Sequence, residues 1–219
     1  MKILPEQMRL YAVTDRTWLH GRKLIDVVSE AIDGGAAFVQ LREKSHLEGM
    51  ELSREELLAE AKKLAQLCHE RGVLFVIDDD VELALEAGAD GVHVGQSDME
   101  ALDVRAKLGP DKIIGVSAHT VEEALLAEKH GADYLGVGAV FPTSSKDDVD
   151  VLPYETLKAI CEAVSIPVVA IGGISQKNVA KLAGSGICGV AVISAIYAAK
   201  NIQAAAADLK SATSEMLQG

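Results

Sequence analysis

Short runs rich in β-branched and aromatic residues alternate along this chain with longer stretches in which apolar residues recur every three or four positions. The first pattern is that of a strand buried on both faces, the second that of an amphipathic helix. Strands are predicted at 9–14 (RLYAVT), 37–42 (AFVQLR), 73–77 (VLFVI), 91–94 (GVHV), 112–116 (KIIGV), 134–138 (YLGVG), 167–171 (PVVAI) and 189–193 (GVAVI). Helices are predicted at about 22–33, 53–71, 80–87, 99–108, 120–130, 153–164, 175–184 and 203–217. Strict alternation of the two means a parallel sheet with helical crossovers. A helix ending in Gly, followed by a small residue and a strand, recurs at Gly35-Ala36-Ala37, Gly88-Ala89-Asp90, Gly131-Ala132-Asp133 and Gly186-Ile187-Cys188. Each interval holds two strand-helix units, as a four-fold repeat would, and each Gly suits a helix C-cap. The predicted fold is therefore a single (β/α)8 TIM barrel domain over residues 1–219. The rival, a doubly wound open sheet, uses fewer strands and opens with a Gly-rich turn that the segment VTDRTWLHG does not provide.

Composition narrows the setting. A chain of 219 residues, 49% apolar and 25% charged, folds without a disulfide or a structural metal. Cys68, Cys161 and Cys188 are widely spaced and none belongs to a Cys-x-x-Cys pair, which excludes a zinc ribbon and a redox motif and points to a reducing cytoplasm. The N-terminal MKILPEQMRL lacks the apolar run of a signal peptide, and no later stretch reaches membrane-spanning length. A cytoplasmic protein with no membrane partner is expected. With 21 Lys and Arg against 33 Asp and Glu the net charge is -12, which disfavours nucleic acid. An anionic ligand would require such a chain to gather its cations locally or recruit a metal.

In a barrel of this kind the site lies at the C-terminal ends of the strands. The polar residues predicted there are Asp15; Gln40, Arg42, Glu43 and Lys44; Asp78, Asp79 and Asp80; Gln96 and Asp98; Ser117 and His119; and Thr143, Ser144, Ser145 and Lys146. After the last two strands come Gly172-Gly173 and Ile193-Ser194, the usual place of a phosphate site, with Ser194-Ala195-Ile196 able to open a short extra helix. The bland alternative is that the glycines close a tight loop and Ser194 caps a helix. Asp79 and Asp98 suit a Mg²⁺ ion that keeps several waters. Against this, Asp79 stands three residues before Glu82 and Ser97 three before Glu100, both capping-box spacings. Arg42, Lys44 and Lys146, with Thr143 and Ser145, form a donor set for a polyphosphate, although Lys44 and Lys146 also fit solvated loop lysines. His93 lies inside a strand, and His119 at a strand end is either an acid-base group or a hydrogen-bonded residue.

The segments QLREK (40–44), DDDVELALEAGADGVHVGQSD (78–98), GVSAHT (115–120), GADYLGVGAVFPTSSK (131–146), AIGGI (170–174) and GVAVISAI (189–196) together resemble the thiamine-phosphate synthase family, in family order and over about residues 9–197. The resemblance implies a Mg²⁺-dependent transferase with two small phosphorylated substrates, a pyrimidine diphosphate and a thiazole phosphate, whose coupling gives thiamine phosphate and pyrophosphate. It implies a substrate-binding set of Gln40, Leu41, Arg42, Glu43, Lys44, Asp78, Ser117, Thr143, Ser144, Ser145, Lys146, Gly173, Ile193 and Ser194. Within that set, Arg42, Lys44, Ser117 and Lys146 would be catalytic, while Asp79 and Asp98 would hold the metal. Two departures stand out: Asp78 replaces the family's usual Asn, and Ser145 its usual Thr. Ser145 keeps the hydroxyl, whereas Asp78 exchanges an amide that donates and accepts for a carboxylate that only accepts. A related thiazole tautomerase, an isomerase needing neither diphosphate nor metal, is the alternative, and a barrel that only binds thiazole phosphate is a third reading. A homo-oligomer is compatible with either enzyme.

Overall fold

In the computed structural model, which describes residues 3–43, 52–95, 101–143 and 151–218, all eight predicted strands form and close on one another. They are β1 (Leu10–Val13), β2 (Phe38–Leu41), β3 (Leu74–Asp78), β4 (Gly91–Val94), β5 (Ile113–Ala118), β6 (Tyr134–Val137), β7 (Val168–Ile171) and β8 (Gly189–Val192). Each is parallel to its neighbours, and β8 pairs with β1 through Tyr11 opposite Ala191. The helices follow in turn: α1 (Leu24–Asp33), α2 (Arg54–Glu70), α3 (Val81–Ala87), α4 (Ala101–Leu108), α5 (Val121–Lys129), α6 (Tyr154–Ala163), α7 (Ser194–Tyr197) and α8 (Ile202–Met216). The sequence echo has a backbone counterpart, because Gly35, Gly88, Gly131 and Gly186 all have positive φ at the turn from helix to strand. No described helix is long and apolar enough to cross a membrane.

Closing the sheet makes two apolar layers. Outward residues of the strands, such as Val39, Phe75, Ile77, Ile114 and Leu135, pack against the helices. The alternate residues Tyr11, Val13, Phe38, Leu74, Val76, Ile113, Tyr134, Val169 and Ala191 fill the interior. Three aromatic rings dominate that interior: Phe38 lies 4.4 Å from Tyr11 and 5.4 Å from Tyr134 between centroids. Space for them comes from β5, where a Cβ on Gly115 would lie 2.1 Å from Cζ of Tyr134. Ile3 and Met8, beside the 3-10 turn Pro5–Met8, join the same cluster ahead of β1 and fill the N-terminal end of the barrel.

One predicted helix is not an α-helix. Over 175–184 the chain makes only a 3-10 turn at Val179–Leu182. The coil stops after one turn because Ala183 is already extended, with φ -56 and ψ 137, and Gly184 is left-handed, with φ +74. Asn178 ties the start of the turn to the preceding loop: its Oδ1 accepts from the Ser175 N–H and its Nδ2 donates to the Gly173 carbonyl, each at 2.8 Å. Val179 and Leu182 are still buried, so the apolar spacing that suggested a helix is met by the tighter turn.

Gly115→Ala is expected to destabilise the barrel by about 2 kcal/mol or more, because its methyl group would displace a buried, hydrogen-bonded Tyr134 ring. A denaturation midpoint unchanged from wild type would contradict this reading of the interior.

Candidate active site

Because β1 and β2 are neighbours, with Val13 opposite Gln40, the residues that follow them emerge side by side. The Arg42 N–H donates to Thr14 Oγ1 at 3.0 Å, and the Arg42 Nη1 donates to Asp15 Oδ2 at 3.1 Å. Asp15 Oδ1 accepts from the Thr17 N–H at 2.9 Å, so this carboxylate is fixed from both sides. The guanidinium is 5% exposed, and a cation so buried is tolerable only with such partners. Its Nε lies 3.9 Å from Asp78 Oδ2, beyond hydrogen-bond range, and this buried donor has no hydrogen-bond partner among the described residues. The next residue, Glu43, is engaged by Arg16, whose Nε donates to Glu43 Oε1 at 2.5 Å and whose Nη2 donates to Glu60 on α2. Burial works against the Arg16 charge, but the bonds to Glu43 and Glu60 outweigh it and raise its pKa. Leu41 turns its side chain into the outer apolar layer.

A chain of polar side chains crosses the interior below this corner. Gln40 Nε2 donates to the Tyr11 hydroxyl at 2.9 Å, the Tyr11 and Tyr134 hydroxyls are bonded at 2.9 Å, Tyr134 meets His93 Nδ1 at 2.9 Å, and His93 Nε2 meets Ser117 Oγ at 3.1 Å. Five strands, β2, β1, β6, β4 and β5, each contribute one member. Burial pushes the phenol pKa values of Tyr11 and Tyr134 upward, so both remain neutral donors near pH 7.

Asp78 ends β3 opposite His93. The next residue, Asp79, has φ +59, a left-handed conformation uncommon for a residue with a Cβ, and its N–H donates to the His93 carbonyl at 2.8 Å. Capping of α3 belongs to Asp80, whose Oδ1 accepts from the Leu83 N–H at 2.8 Å and whose Oδ2 accepts from Arg54 at 2.7 Å. The capping-box reading of Asp79 with Glu82 is thereby corrected: the cap sits one residue later. Among the described residues no group of three or more His, Cys, Asp and Glu gathers in a metal-binding arrangement. Gln96 and Asp98 lie outside the described residues, as do Lys44, Ser144, Ser145 and Lys146.

On the opposite side, Thr143, Gly172, Gly173, Ile193 and Ser194 line a cavity of about 40 Å³. Gly172 and Gly173 have φ +98 and +63, and a Cβ on either would lie 2.4 Å from Ala139 Cβ or the Pro142 carbonyl oxygen respectively. Both therefore answer to backbone shape and close approach. The N-cap of α7 is Ile193, which makes no side-chain cap bond, so the alternative reading of Ser194 as a helix cap is corrected. An apolar cap supplies no acceptor to the first N–H groups of the helix, which suits an external anion. A larger groove of about 540 Å³ between α2 and α3 lies on the outer helical face, lined by residues such as Lys62, His69 and Leu85. His119 is exposed, and its ring lies 3.3 Å from Glu123 at the entry to α5.

The structure thus gathers Gln40, Arg42, Asp78 and Ser117 around one end of the barrel, with Thr143, Gly173, Ile193 and Ser194 forming a separate cavity at that end. The fixing of Arg42 by Asp15, the clasp of Arg16 on Glu43, and the roles of Tyr11, His93 and Tyr134 did not emerge from motif reading. The period-two alternation assigns Tyr11, Gln40, His93, Ser117 and Tyr134 to inward positions, whereas the Arg42–Asp15 and Arg16–Glu43 contacts join loops 27 residues apart and carry no local signal.

The model of a family described as thiamine monophosphate synthase matches residues 10–196. A thiamine-phosphate synthase of Clostridium tetani is 48% identical over 200 residues, covering 91% of this chain and 93% of the relative. One from Pyrococcus abyssi is 42% identical, covering 97% and 98%. The solved structure of thiamine phosphate pyrophosphorylase from Pyrococcus furiosus superposes with a TM-score of 0.87 at 40% identity, covering 98% of this chain and 100% of that one. With motifs, barrel and relatives in agreement over nearly the whole length, the chain belongs to the thiamine monophosphate synthase family.

Proposed function

We propose that this barrel couples 4-amino-2-methyl-5-hydroxymethylpyrimidine diphosphate with 4-methyl-5-(2-hydroxyethyl)thiazole phosphate, releasing thiamine phosphate and pyrophosphate, with Gln40, Arg42 and Ser117 on the diphosphate side, Asp78 near the pyrimidine, and Thr143, Gly173, Ile193 and Ser194 on the thiazole phosphate side. The observation that carries this reading is the buried Arg42 guanidinium, fixed by Asp15 and with no hydrogen-bond partner for its Nε among the described residues, at the same end of the barrel as the small Gly-lined cavity. A buried donor without a partner favours a ligand that brings an acceptor.

The reaction breaks the bond between the pyrimidine methylene and the diphosphate oxygen, and the electron pair leaves with the diphosphate. The aminopyrimidine delocalises the resulting cation, and the thiazole nitrogen supplies the electron pair of the new C–N bond. No strong protein base is required. The chain must stabilise charge on the departing diphosphate and align the two rings. Arg42 offers an always-charged donor, Ser117 a hydroxyl donor, and Lys44 and Lys146 further cations. By the family resemblance, Lys146 would hold the diphosphate, and Thr143 and Ser145, with the neighbouring Ser144, would serve the thiazole phosphate. Asp79 fits a hard cation in its donor chemistry, a carboxylate at the C-terminal end of β3. With Asp98 it would hold Mg²⁺, which supplies electrostatic stabilisation of diphosphate oxygens when bound. Asp78, in place of an amide, accepts only, and Arg42 Nε at 3.9 Å provides the countercharge that a carboxylate at this position needs.

Purified protein given both substrates and Mg²⁺ is expected to form thiamine phosphate, detected by mass, and to lose that activity in excess chelator. Substrates left unchanged by folded protein in both tubes would contradict the proposal and favour the tautomerase. Asp79→Ala should raise the Mg²⁺ concentration for half-maximal rate by tenfold or more, on the order of one lost charged ligand; an unchanged requirement would remove Asp79 from the metal site. Lys146→Ala should lower kcat by about 100-fold while thiazole phosphate affinity changes far less. Equal losses in both would reassign that lysine to ground-state binding.

A further inference from the structure

The hydrogen bonds across the interior have a direction. Gln40 Nε2 donates to Tyr11, and each phenol carries a single proton. If Tyr134 donated to Tyr11, the Tyr11 proton would be left in an interior where its hydroxyl meets only Gln40 and Tyr134 among the described residues. Tyr11 is 1% exposed and Tyr134 fully buried, so such an orphan is costly. Tyr11 therefore donates to Tyr134, and Tyr134 donates to His93 Nδ1. The imidazole must then be neutral with its proton on Nε2, and Nε2–H donates to Ser117 Oγ. Ser117, accepting from His93, turns its own proton away from the interior chain.

From this we propose that His93 is a positioning residue: by holding the Nε2–H tautomer, it fixes the Ser117 hydroxyl as a donor toward the open end of the barrel. The proposal rests on the diphosphate-side role given to Ser117 above. It deepens that role, because a serine hydroxyl is ambivalent and an anionic diphosphate oxygen is served only by the donor orientation. The opposite tautomer would draw the Ser117 proton onto His93 Nε2 and present a lone pair to the anion. The raised phenol pKa values of Tyr11 and Tyr134 keep both links protonated, so the direction persists across neutral pH. Further geometry supports a fixed ring. The His93 imidazole lies 5.4 Å from the Tyr134 ring between centroids, and a Cβ on Gly136 would lie 3.0 Å from His93 Cε1. A bulkier residue at 136 would displace the ring.

A double-mutant cycle with the two-substrate assay tests this. His93→Leu is expected to lower kcat/KM for the pyrimidine diphosphate by about tenfold or more when Ser117 is present, and by less than about twofold in a Ser117→Ala background. A similar loss in both backgrounds, or none in either, would overturn the proposal, since a merely structural histidine has no reason to act through Ser117. The second measurement needs neither a variant nor turnover: ¹⁵N NMR of histidine-labelled wild-type protein, with His93 assigned by its contacts to Tyr134. The expected result at pH 7.5 is a neutral ring protonated on Nε2, and protonation on Nδ1 would overturn the inference. Because the tautomer is read without catalysis, failure of the coupling reaction and failure of the positioning role remain distinguishable.

Discussion

The hydrogen bond between the Tyr11 and Tyr134 hydroxyls spans the centre of the barrel at 2.9 Å, and much of the candidate site depends on it. Two phenols buried among Phe38, Leu74 and Val169 must satisfy each other or disrupt the core. Their solution extends to Gln40 on one side and to His93 and Ser117 on the other. The interior is thus an apolar filling and a polar brace at once. Residues on β2 and β5, on different sides of the barrel, are set by one shared network.

The same logic of matched burial explains the charged corner. A chain of net charge -12 has few cations to place near an anion, and it buries one of them outright. Arg42 is tolerable there because Asp15 accepts from its Nη1 and Asp78 lies near its Nε, while Arg16 clasps Glu43 to hold the adjoining backbone. Fixing a charged donor before the ligand arrives reduces what must be reorganised during reaction, which is the main route by which a rigid scaffold stabilises a developing anion. The strained Asp79 backbone, tied to the His93 carbonyl, belongs to the same rim.

The barrel was legible because parallel strands buried on both faces leave continuous apolar runs, such as VLFVI at 73–77, that local periodicity detects. The strand ends followed, and with them Gln40, Arg42, Asp78 and Ser117. Contacts between distant segments were not legible: Tyr11 and Tyr134 stand 123 residues apart, and nothing local in either segment announces their bond. Spacing also misled where two neighbours compete for one role. Asp79 has Glu82 at the capping distance, but Asp80 takes the cap because Asp79 is held by the rim. Likewise the apolar spacing of Val179 and Leu182 suits an α-helix and a 3-10 turn alike, and extended Ala183 with left-handed Gly184 leaves room for only the single turn.

The most direct measurement is a crystal structure of the protein with pyrophosphate, Mg²⁺ and thiamine phosphate. A diphosphate oxygen is expected within hydrogen-bond distance of both Arg42 Nε and Ser117 Oγ, with the Ser117–His93 contact retained and the thiamine phosphate group in the cavity lined by Gly173 and Ser194. A diphosphate bound away from Arg42 and Ser117, or a phosphate group that leaves that cavity empty at saturating ligand, would contradict it.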